Sequence, residues 1–432
     1  MAREMKNSGV RWIGDIPKNW AMTKIKFEIS DYKAGPFGSS LITDKLEQEG
    51  NILVYTPEHV ALSSDTCSNN LYLPEARRFE MSQFFVKEGD IVFPIVGSLG
   101  RAMKINSNNN EGIINQRLAK FRLSSTRLKD DYFLWLFARS SFYSPYIDLY
   151  RRGTIILNLT KTIVGGMPIP LPPLSEQKVI ADFLDAKCGE IDGLLADLDA
   201  EVKTLTEYKK SLIAEKVTRG LNPNAPMKSS GIPWADTIPA HWEIDKGKFR
   251  FELRRTKGNP RNLELMSPTQ KYGVIPQSQL EGVVLVKENT DLNAFRTICI
   301  GDFCISLRSF QGGFEYSNYE GVVSPAYQVF YPIKPIADGY FKFVFKSDGF
   351  ISYINTFSMS LRDGKNIAFE DFGNSSIPIP PLDEQIAIAN YLDSKCAAIE
   401  QSITDKTQQI ETLKSYKSSL IYEYVTGKKQ VL

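Results

Sequence analysis

The sequence predicts an α+β protein: two globular domains separated by a pair of long antiparallel coiled-coil helices, built as a pseudo-twofold internal duplication. Three observations carry that expectation. A Trp-bearing segment occurs twice, a Pro-rich segment opening a heptad-patterned block occurs twice, and the regions between them are β-rich but unlike each other in sequence.

The first repeat pairs SGVRWIGDIPKNW, from Ser8 to Trp20, with SGIPWADTIPAHW, from Ser230 to Trp242. Ser8, Gly9, Trp12, Ile16, Pro17 and Trp20 each recur 222 positions later (230 − 8), while Arg11 and Pro233 differ. The second pairs IPLPPLSEQKVIADFLDAKCGEI, from Ile169, with IPIPPLDEQIAIANYLDSKCAAI, from Ile377, an offset of 208 (377 − 169). Matches at that offset continue through Tyr208 with Tyr416 and Val217 with Val425. The difference in offsets makes the second intervening region 14 residues shorter (222 − 208). At 432 residues the chain exceeds what one core usually serves, so more than one domain is expected on size alone.

The intervening regions run from about Ala21 to Pro168 and from about Glu243 to Ser376. Faint correspondences survive: GDIVFPIVGSLGR from Gly89 with GDFCISLRSFQGG from Gly301, EGIINQRLAKF from Glu111 with EGVVSPAYQVF from Glu320, and DYFLWLF from Asp131 with GYFKFVF from Gly339. Runs such as Asp90 to Val96 and Gly321 to Tyr331, bounded by Gly, Asn and Pro, predict strands and turns.

The repeated blocks predict helices. Pro172 and Pro173 stop a preceding strand, Ser175 is placed to cap, and Glu176 complements the helix N-terminus; Pro380, Pro381, Asp383 and Glu384 repeat the arrangement. Leu184, Ile191, Leu198, Leu205 and Leu212 recur every seven residues, joined by Leu195 and Val202. Leu392, Ile399, Leu413 and Leu420 keep the same phase, with Ile403 and Ile410, and Lys406 falls on a seam position. Sustained heptads argue for a coiled coil, in which a polar seam residue sets register or sits near a solvated end. A block of about 45 residues is roughly 65 Å of unbroken helix. Each block follows its own globular domain, so antiparallel pairing would place one domain at each end. The expected domains are 1–170, the opening segment with the first globular domain; 171–220, a helical spacer; 221–378, a linker, the repeated segment and the second globular domain; and 379–432, a second spacer.

Composition sets limits. Apolar residues are 42% and charged residues 24%, with net charge +2, which fits a globular chain and leaves the distribution of charge more informative than its sum. The polar N-terminus lacks a secretion signal, no apolar run approaches membrane-spanning length, and the odd, scattered cysteines (Cys67, Cys188, Cys299, Cys304, Cys396) suit a reducing compartment, so a cytoplasmic location is expected. Catalytic signatures are absent: no Gly-rich dinucleotide fingerprint, no phosphate-binding loop, no amino-methyltransferase motif, and only His59 and His241 for histidine chemistry. Cys299 and Cys304 lack a second ligand pair for a metal and read as buried strand thiols, so no metal site is expected. Cys188 and Cys396 read as packed between the spacer helices, and Trp12, Trp20, Trp234 and Trp242 as core anchors.

Diverged domains on a duplicated rigid frame suit a partner of matching pseudo-symmetry, and duplex DNA read at two unlike half-sites is such a partner. The paired Trp-bearing segments, the IPLPPLSEQ and IPIPPLDEQ punctuation and the two helical blocks resemble the specificity subunits of type I restriction-modification systems, over essentially the whole chain. The resemblance implies two target-recognition domains, spacers that bind two methyltransferase subunits, and restriction (endonuclease and translocase) subunits that complete an anti-phage nuclease. This chain is then a non-enzyme without a cofactor of its own; S-adenosylmethionine, ATP and magnesium belong to the partners.

Base and phosphate contacts are sought among basic and amide side chains of the variable domains. In the first these are Lys33, Arg101, Lys104, Arg117, Arg151, Arg152 and Lys161; in the second, Arg254, Arg255, Lys257, Arg261, Lys271, Arg308, Gln311, Arg362 and Lys365. For each one a solvated surface charge is an equally good reading. On the spacers, Tyr208, Lys209 and Ser211 recur as Tyr416, Lys417 and Ser419, fitting a partner-facing surface, an interhelical one, or common ancestry alone. Two other functions compete: a coiled-coil scaffold with protein-binding domains, and an enzyme hidden in the variable domains.

Overall fold

The computed structural model describes residues 3–36, 41, 46–96, 101–139, 142–150, 159–258, 262–270, 272–280, 292–306, 313–357 and 367–431. The chain forms two compact units, Met1–Asp197 with Gln409–Leu432, and Leu198–Gln408. A central helix, Leu174–Arg219, begins in the first unit, and a C-terminal helix, Leu382–Val425, begins in the second. Each unit therefore holds the first part of one long helix and the last part of the other.

In the first unit, Met5–Asn7 pairs antiparallel with Asp15–Pro17, and Ala21–Lys24 with Pro168–Leu171, which brings the start and end of the variable region together. Between them lies a four-stranded antiparallel sheet in the order Ile29–Ala34, Leu118–Leu123, Asp90–Pro94, Met103–Lys104. A parallel pair, Leu53–Tyr55 with Gly112–Ile114, builds a second small core. The second unit repeats the plan. Met227–Ile232 pairs with Ala235–Pro239, Glu243–Lys246 with Ser376–Ile379, and the sheet runs Phe251–Leu253, Tyr327–Pro332, Phe303–Ser306, Glu315–Tyr316. Numbered along the chain, both sheets have the order first, fourth, second, third. The run Gly321 to Tyr331 holds two strands, Gly321–Val323 and Tyr327–Pro332, separated by a turn containing Pro325, which has no N–H to give a ladder.

One aromatic core fills each unit. Phe93, Phe121, Phe133 and Phe137 contact one another in the first, and Phe251, Phe303, Phe314, Phe330, Phe345 and Phe372 in the second, mostly edge-to-face or tilted. Such pairs add about 0.5–1.5 kcal/mol each beyond area burial.

Against these cores lie the long helices. In the first unit the Phe183 ring meets Tyr424 at 4.4 Å while Asp192 meets Lys417 at 2.6 Å, so the helices run antiparallel there. In the second, Glu201 pairs with Lys406 and Lys209 with Glu400, again antiparallel. Leu184, Ile191, Leu212, Leu392, Ile399 and Leu420 are buried, while Leu198, Leu205 and Leu413 are half-buried. Cys188 and Cys396 complete the seam, four residues after Leu184 and Leu392, with thiols pushed up in pKa by burial. Burying a seam leucine contributes about 1.5–3 kcal/mol.

Both helices start two residues earlier than the capping pattern suggests, at Leu174 and Leu382, so Ser175 and Asp383 lie in the first turn. The carbonyls of Pro173 and Pro381 already accept the Gln177 and Gln385 amides at 3.0 and 2.9 Å, which makes the prolines the capping positions. Cys304 is a buried strand thiol as expected, but Cys299 is half-buried and follows the strand Arg296–Ile298.

Candidate DNA interface

The duplicated frame holds each variable domain by the same small set of bonds. Glu176 accepts from the Trp20 indole at 2.9 Å and from Arg3; Glu384 accepts from the Trp242 indole at 3.0 Å and from His241 at 2.8 Å. The next residue reaches the other way. Gln177 accepts the backbone N–H of Lys129 at 2.8 Å and donates to Pro172 O; Gln385 accepts that of Ala337 at 2.9 Å and donates to Pro380 O. Lys129 and Ala337 each precede a buried helix, Asp130–Phe137 and Asp338–Val344. Those helices return the contact: Tyr132 OH donates to Val425 O at 3.0 Å and Tyr340 OH to Val217 O at 2.8 Å, satisfying carbonyls of a helix C-terminus that have no intrahelical partner. The Glu-Gln punctuation is thus a two-sided latch.

A second shared device orders the sheet edges. Asp90 and Asp302 follow Gly89 and Gly301, whose φ angles of +84° and +87° favour glycine. Each carboxylate accepts a backbone N–H three residues earlier, Lys87 at 2.9 Å and Cys299 at 2.8 Å. Buried Asp90 binds Lys120 at 2.9 Å and Arg122 at 2.8 Å, and Asp302 binds both nitrogens of the Arg254 fork at 2.6 and 2.7 Å. Burial raises the Asp302 pKa, and the Arg254 guanidinium works against that rise.

Sequence-predicted contact residues fall around this scaffold. Arg101 and Lys104 share a cleft of about 370 Å³ with Arg139, Asn106 and Asn109, between the short strand Met103–Lys104, the helix Pro57–Leu62 and the end of Asp130–Phe137. Lys104 is steadied by Asp130 at 2.5 Å, and Arg139 by Asp185 and the Trp135 ring. Arg101 is exposed and has no ion-pair partner among the described residues. Three cations in one opening suit phosphate oxygens, while the Asn109 amide is held at both ends, donating to Asp65 at 2.7 Å and accepting the Asn106 N–H at 2.8 Å. Lys33 stands on Ile29–Ala34, donating to Gln83 with its ammonium 5.2 Å from the Phe84 ring. Arg117 is exposed in the turn before Leu118, and Lys161 is exposed at the start of Lys161–Gly166, a helix capped by Thr160. In the second unit, Arg254 lies 4.5 Å over the Tyr331 ring with its fork engaged by Asp302, while Arg255 and Lys257 are exposed. Arg151, Arg152, Arg261, Lys271, Arg308, Gln311, Arg362 and Lys365 lie outside the described residues.

Sequence reasoning missed Arg139, Asn106 and Asn109, which are brought to the cleft by two separate segments, a helix end and a turn. It also missed a short repeat beside the Trp-bearing segment: Lys24, Lys26 and Phe27 recur at the offset of 222 as Lys246, Lys248 and Phe249. Both phenylalanines are exposed, each with its neighbouring lysine over the ring at 4.8 and 5.7 Å. The recurrence itself was the available signal. Among the described residues no group of His, Cys, Asp and Glu could hold a metal ion, and no helix is long and apolar enough to cross a membrane.

Two copies of one frame, each carrying its own variable α+β domain on a long helix, define a tandem recognition protein. The chain belongs to the family described as Type I restriction modification DNA specificity domain, matched twice, over residues 17–203 and 251–412. It is similar to the putative type I restriction enzyme MjaX specificity subunit of Methanocaldococcus jannaschii, 22% identical over 97% of this chain and 96% of that protein. It is also similar to the type I restriction enzyme EcoKI specificity subunit of Escherichia coli, 22% identical over 65% of this chain and 62% of that one. A solved chain described by the words "Structural basis underlying complex assembly and conformational transition of the type I R-M system" shares the fold, with a TM-score of 0.67 at 14% identity over 96% of this chain and 99% of that chain. The chain is therefore a DNA specificity subunit of a non-catalytic family.

Proposed function

We infer that this chain reads a bipartite, asymmetric duplex target, one half-site per variable domain, and directs two methyltransferase subunits and the restriction subunits of a cytoplasmic complex to it. The observation that supports this reading is the contrast within the duplication: latch, sheet order and helix seam repeat, while the candidate contact residues of the first domain, such as Arg101, Lys104 and Arg117, have no basic counterparts at the matching offset in the second. Like frames demand like partners, whereas unlike reading surfaces demand unlike base sequences. The contacts we propose, as a group, are the basic and amide residues named from the sequence, with Arg139, Asn106 and Asn109 added in the first domain. S-adenosylmethionine, ATP and magnesium would be held by the partner subunits.

Long-read methylation mapping tests this in a methylation-free host expressing the chain with its methyltransferase subunit, against a control lacking the chain. The expected result is an adenine-methylated motif in two unlike parts, present only with the chain. A soluble complex that leaves no new motif overturns the reading in favour of the scaffold. Four in-phase residues inserted within the central helix add about 6 Å and should widen the gap between half-sites by about one or two base pairs. An unchanged gap would show that the helices are not the ruler.

A further inference from the structure

The two copies of the frame differ at one place where the helix seam meets the Trp-bearing segment. In the first unit, Tyr422 lies under that segment: its hydroxyl donates to Trp12 O at 2.8 Å, with Ile13 O at 3.1 Å, and accepts from Lys428 at 2.9 Å. Phe142 packs edge-on to Trp12 at 4.7 Å and also contacts the Tyr422 ring, so the space is filled by aromatic carbon.

In the second unit the offset of 208 puts Ala214 where Tyr422 stands, and the offset of 222 puts Ala235 where Ile13 stands. Two large side chains are thereby reduced to alanine at one spot. What remains is an open pocket of about 360 Å³ lined by Ala214, Thr218, Trp234, Ala235, Ser347 and Gly349, with Glu215, Arg219, Asp236 and Thr237 completing it. Phe350 still packs edge-on to Trp234 at 5.7 Å, so the aromatic floor is in place. Thr218 donates its hydroxyl to Ala214 O within its own helix and Ser347 donates to Val344 O at the end of the preceding helix, which leaves their carbon to the pocket. Trp234 O, the counterpart of the carbonyl that takes the Tyr422 hydroxyl, accepts no hydrogen bond among the described residues.

We propose that this pocket is a binding site for a single aromatic ring carrying a hydroxyl, which takes the place that Tyr422 occupies in the other unit. The ring stacks between Ala214 and Trp234, its hydroxyl donates to Trp234 O, and Arg219 and Asp236 at the rim face its outer substituents. Two sources share this chemistry: a tyrosine side chain of a partner subunit and a free phenolic molecule. The inference rests on the comparison of the two units and stands apart from the DNA-reading role.

The test uses the full-length chain and 4-fluorophenol, followed by fluorine NMR. Wild type should bind one equivalent saturably. Ala214→Tyr, which supplies the missing ring in cis, should weaken binding by about ten-fold or more. Ala214→Leu fills the same space without a hydroxyl and should act likewise, so the test survives if one variant folds poorly. Tyr422→Ala should open a second site. No saturable binding to wild type, or binding unchanged in both folded Ala214 variants, overturns the proposal. Adding the methyltransferase subunit separates the sources: release of the probe on complex formation assigns the ring to the partner, and retention assigns it to a free molecule.

Discussion

Replacing Lys406 by leucine should stabilise the second unit. Lys406 holds a seam position of the C-terminal helix, its side chain 29% exposed, and its ammonium reaches Glu201, whose side chain is 54% exposed. A leucine there would be about two-thirds buried, contributing about 1–2 kcal/mol from the 1.5–3 kcal/mol of full burial. The ion pair lost is partly solvated, and such pairs contribute about 0.2–1 kcal/mol. Glu201 is left facing water rather than buried, so its separation costs little. Helix propensity is nearly equal for the two residues. The net gain is about 1 kcal/mol, or about 2–4 °C in the melting of a unit of this size. Calorimetry at low and high salt measures it: wild type should lose stability with salt, while the variant should lose less. A destabilisation of about 1 kcal/mol or more would refute the reasoning, because the ion pair would then outweigh seam packing. The same substitution should also weaken control of helix register, seen as added oligomers by light scattering, since a polar seam residue penalises wrong alignments.

Tyr132→Phe and Tyr340→Phe each leave a buried helix-end carbonyl without its donor and should cost about 1–2 kcal/mol, additively because they sit in different units and share no partner; denaturant melts showing no loss would mean other donors take over. His59 is buried, its Nδ1 accepting the Thr56 amide at 3.1 Å and its Nε2 facing Asn70 Oδ1 at 3.2 Å, a neutral arrangement that burial protects by lowering the pKa. A lowered pKa contributes stability above the ordinary histidine range, so it is lost as pH falls below about 6.5, and melting profiles of wild type should flatten over that range in His59→Gln. Arg101→Ala should weaken DNA binding by the assembled methyltransferase, by about 1–3 kcal/mol with relaxed choice at one position if it reads a base, or with a salt slope smaller by about 1 if it holds a phosphate; binding unchanged by this variant and by Arg139→Ala would remove the cleft from the interface.

The frame was legible because its signals are local and repeated. Heptad leucines from Leu184 to Leu212 and from Leu392 to Leu420 announce a helix seam, and two copies leave little room for chance. Less legible was what the polar residues of that frame do. Lys209 and Lys417 recur with their tyrosines, but sequence could not decide which way they face; Lys209 turns to Glu400 and Lys417 to Asp192, across the seam, while Tyr208 and Tyr416 remain on the solvent side. Gln177 and Gln385 gave no sign that they clamp a helix start about fifty residues earlier in the chain, since a hydrogen bond to a distant backbone N–H leaves no periodic trace. The cleft was the least legible. Arg101 and Lys104 could be picked for their setting, but Arg139 comes from a helix end and Asn106 and Asn109 from a turn, and only the tertiary fold makes them neighbours.

The two kinds of residue obey different physical constraints, and this explains why one half of the chain predicts the other so unevenly. A latch residue such as Glu176 or Glu384 must meet a buried indole in a fixed place, and losing it strands a buried donor, so each copy tolerates little change. An exposed residue such as Arg101, which we propose contacts DNA, meets water in the free protein, and replacing it there costs almost nothing. Sequence in the variable domains is thus free to drift in recognition without a penalty in folding, provided that the aromatic core and the Gly-Asp turn beneath it persist. Tyr422 and Ala214 form the exception on which the argument can be checked, because they are frame positions that differ. If Ala214 is only a loss, Ala214→Tyr should stabilise the chain and leave assembly unchanged; if the pocket serves a partner's ring, the same stabilised variant should assemble less well with the methyltransferase subunit.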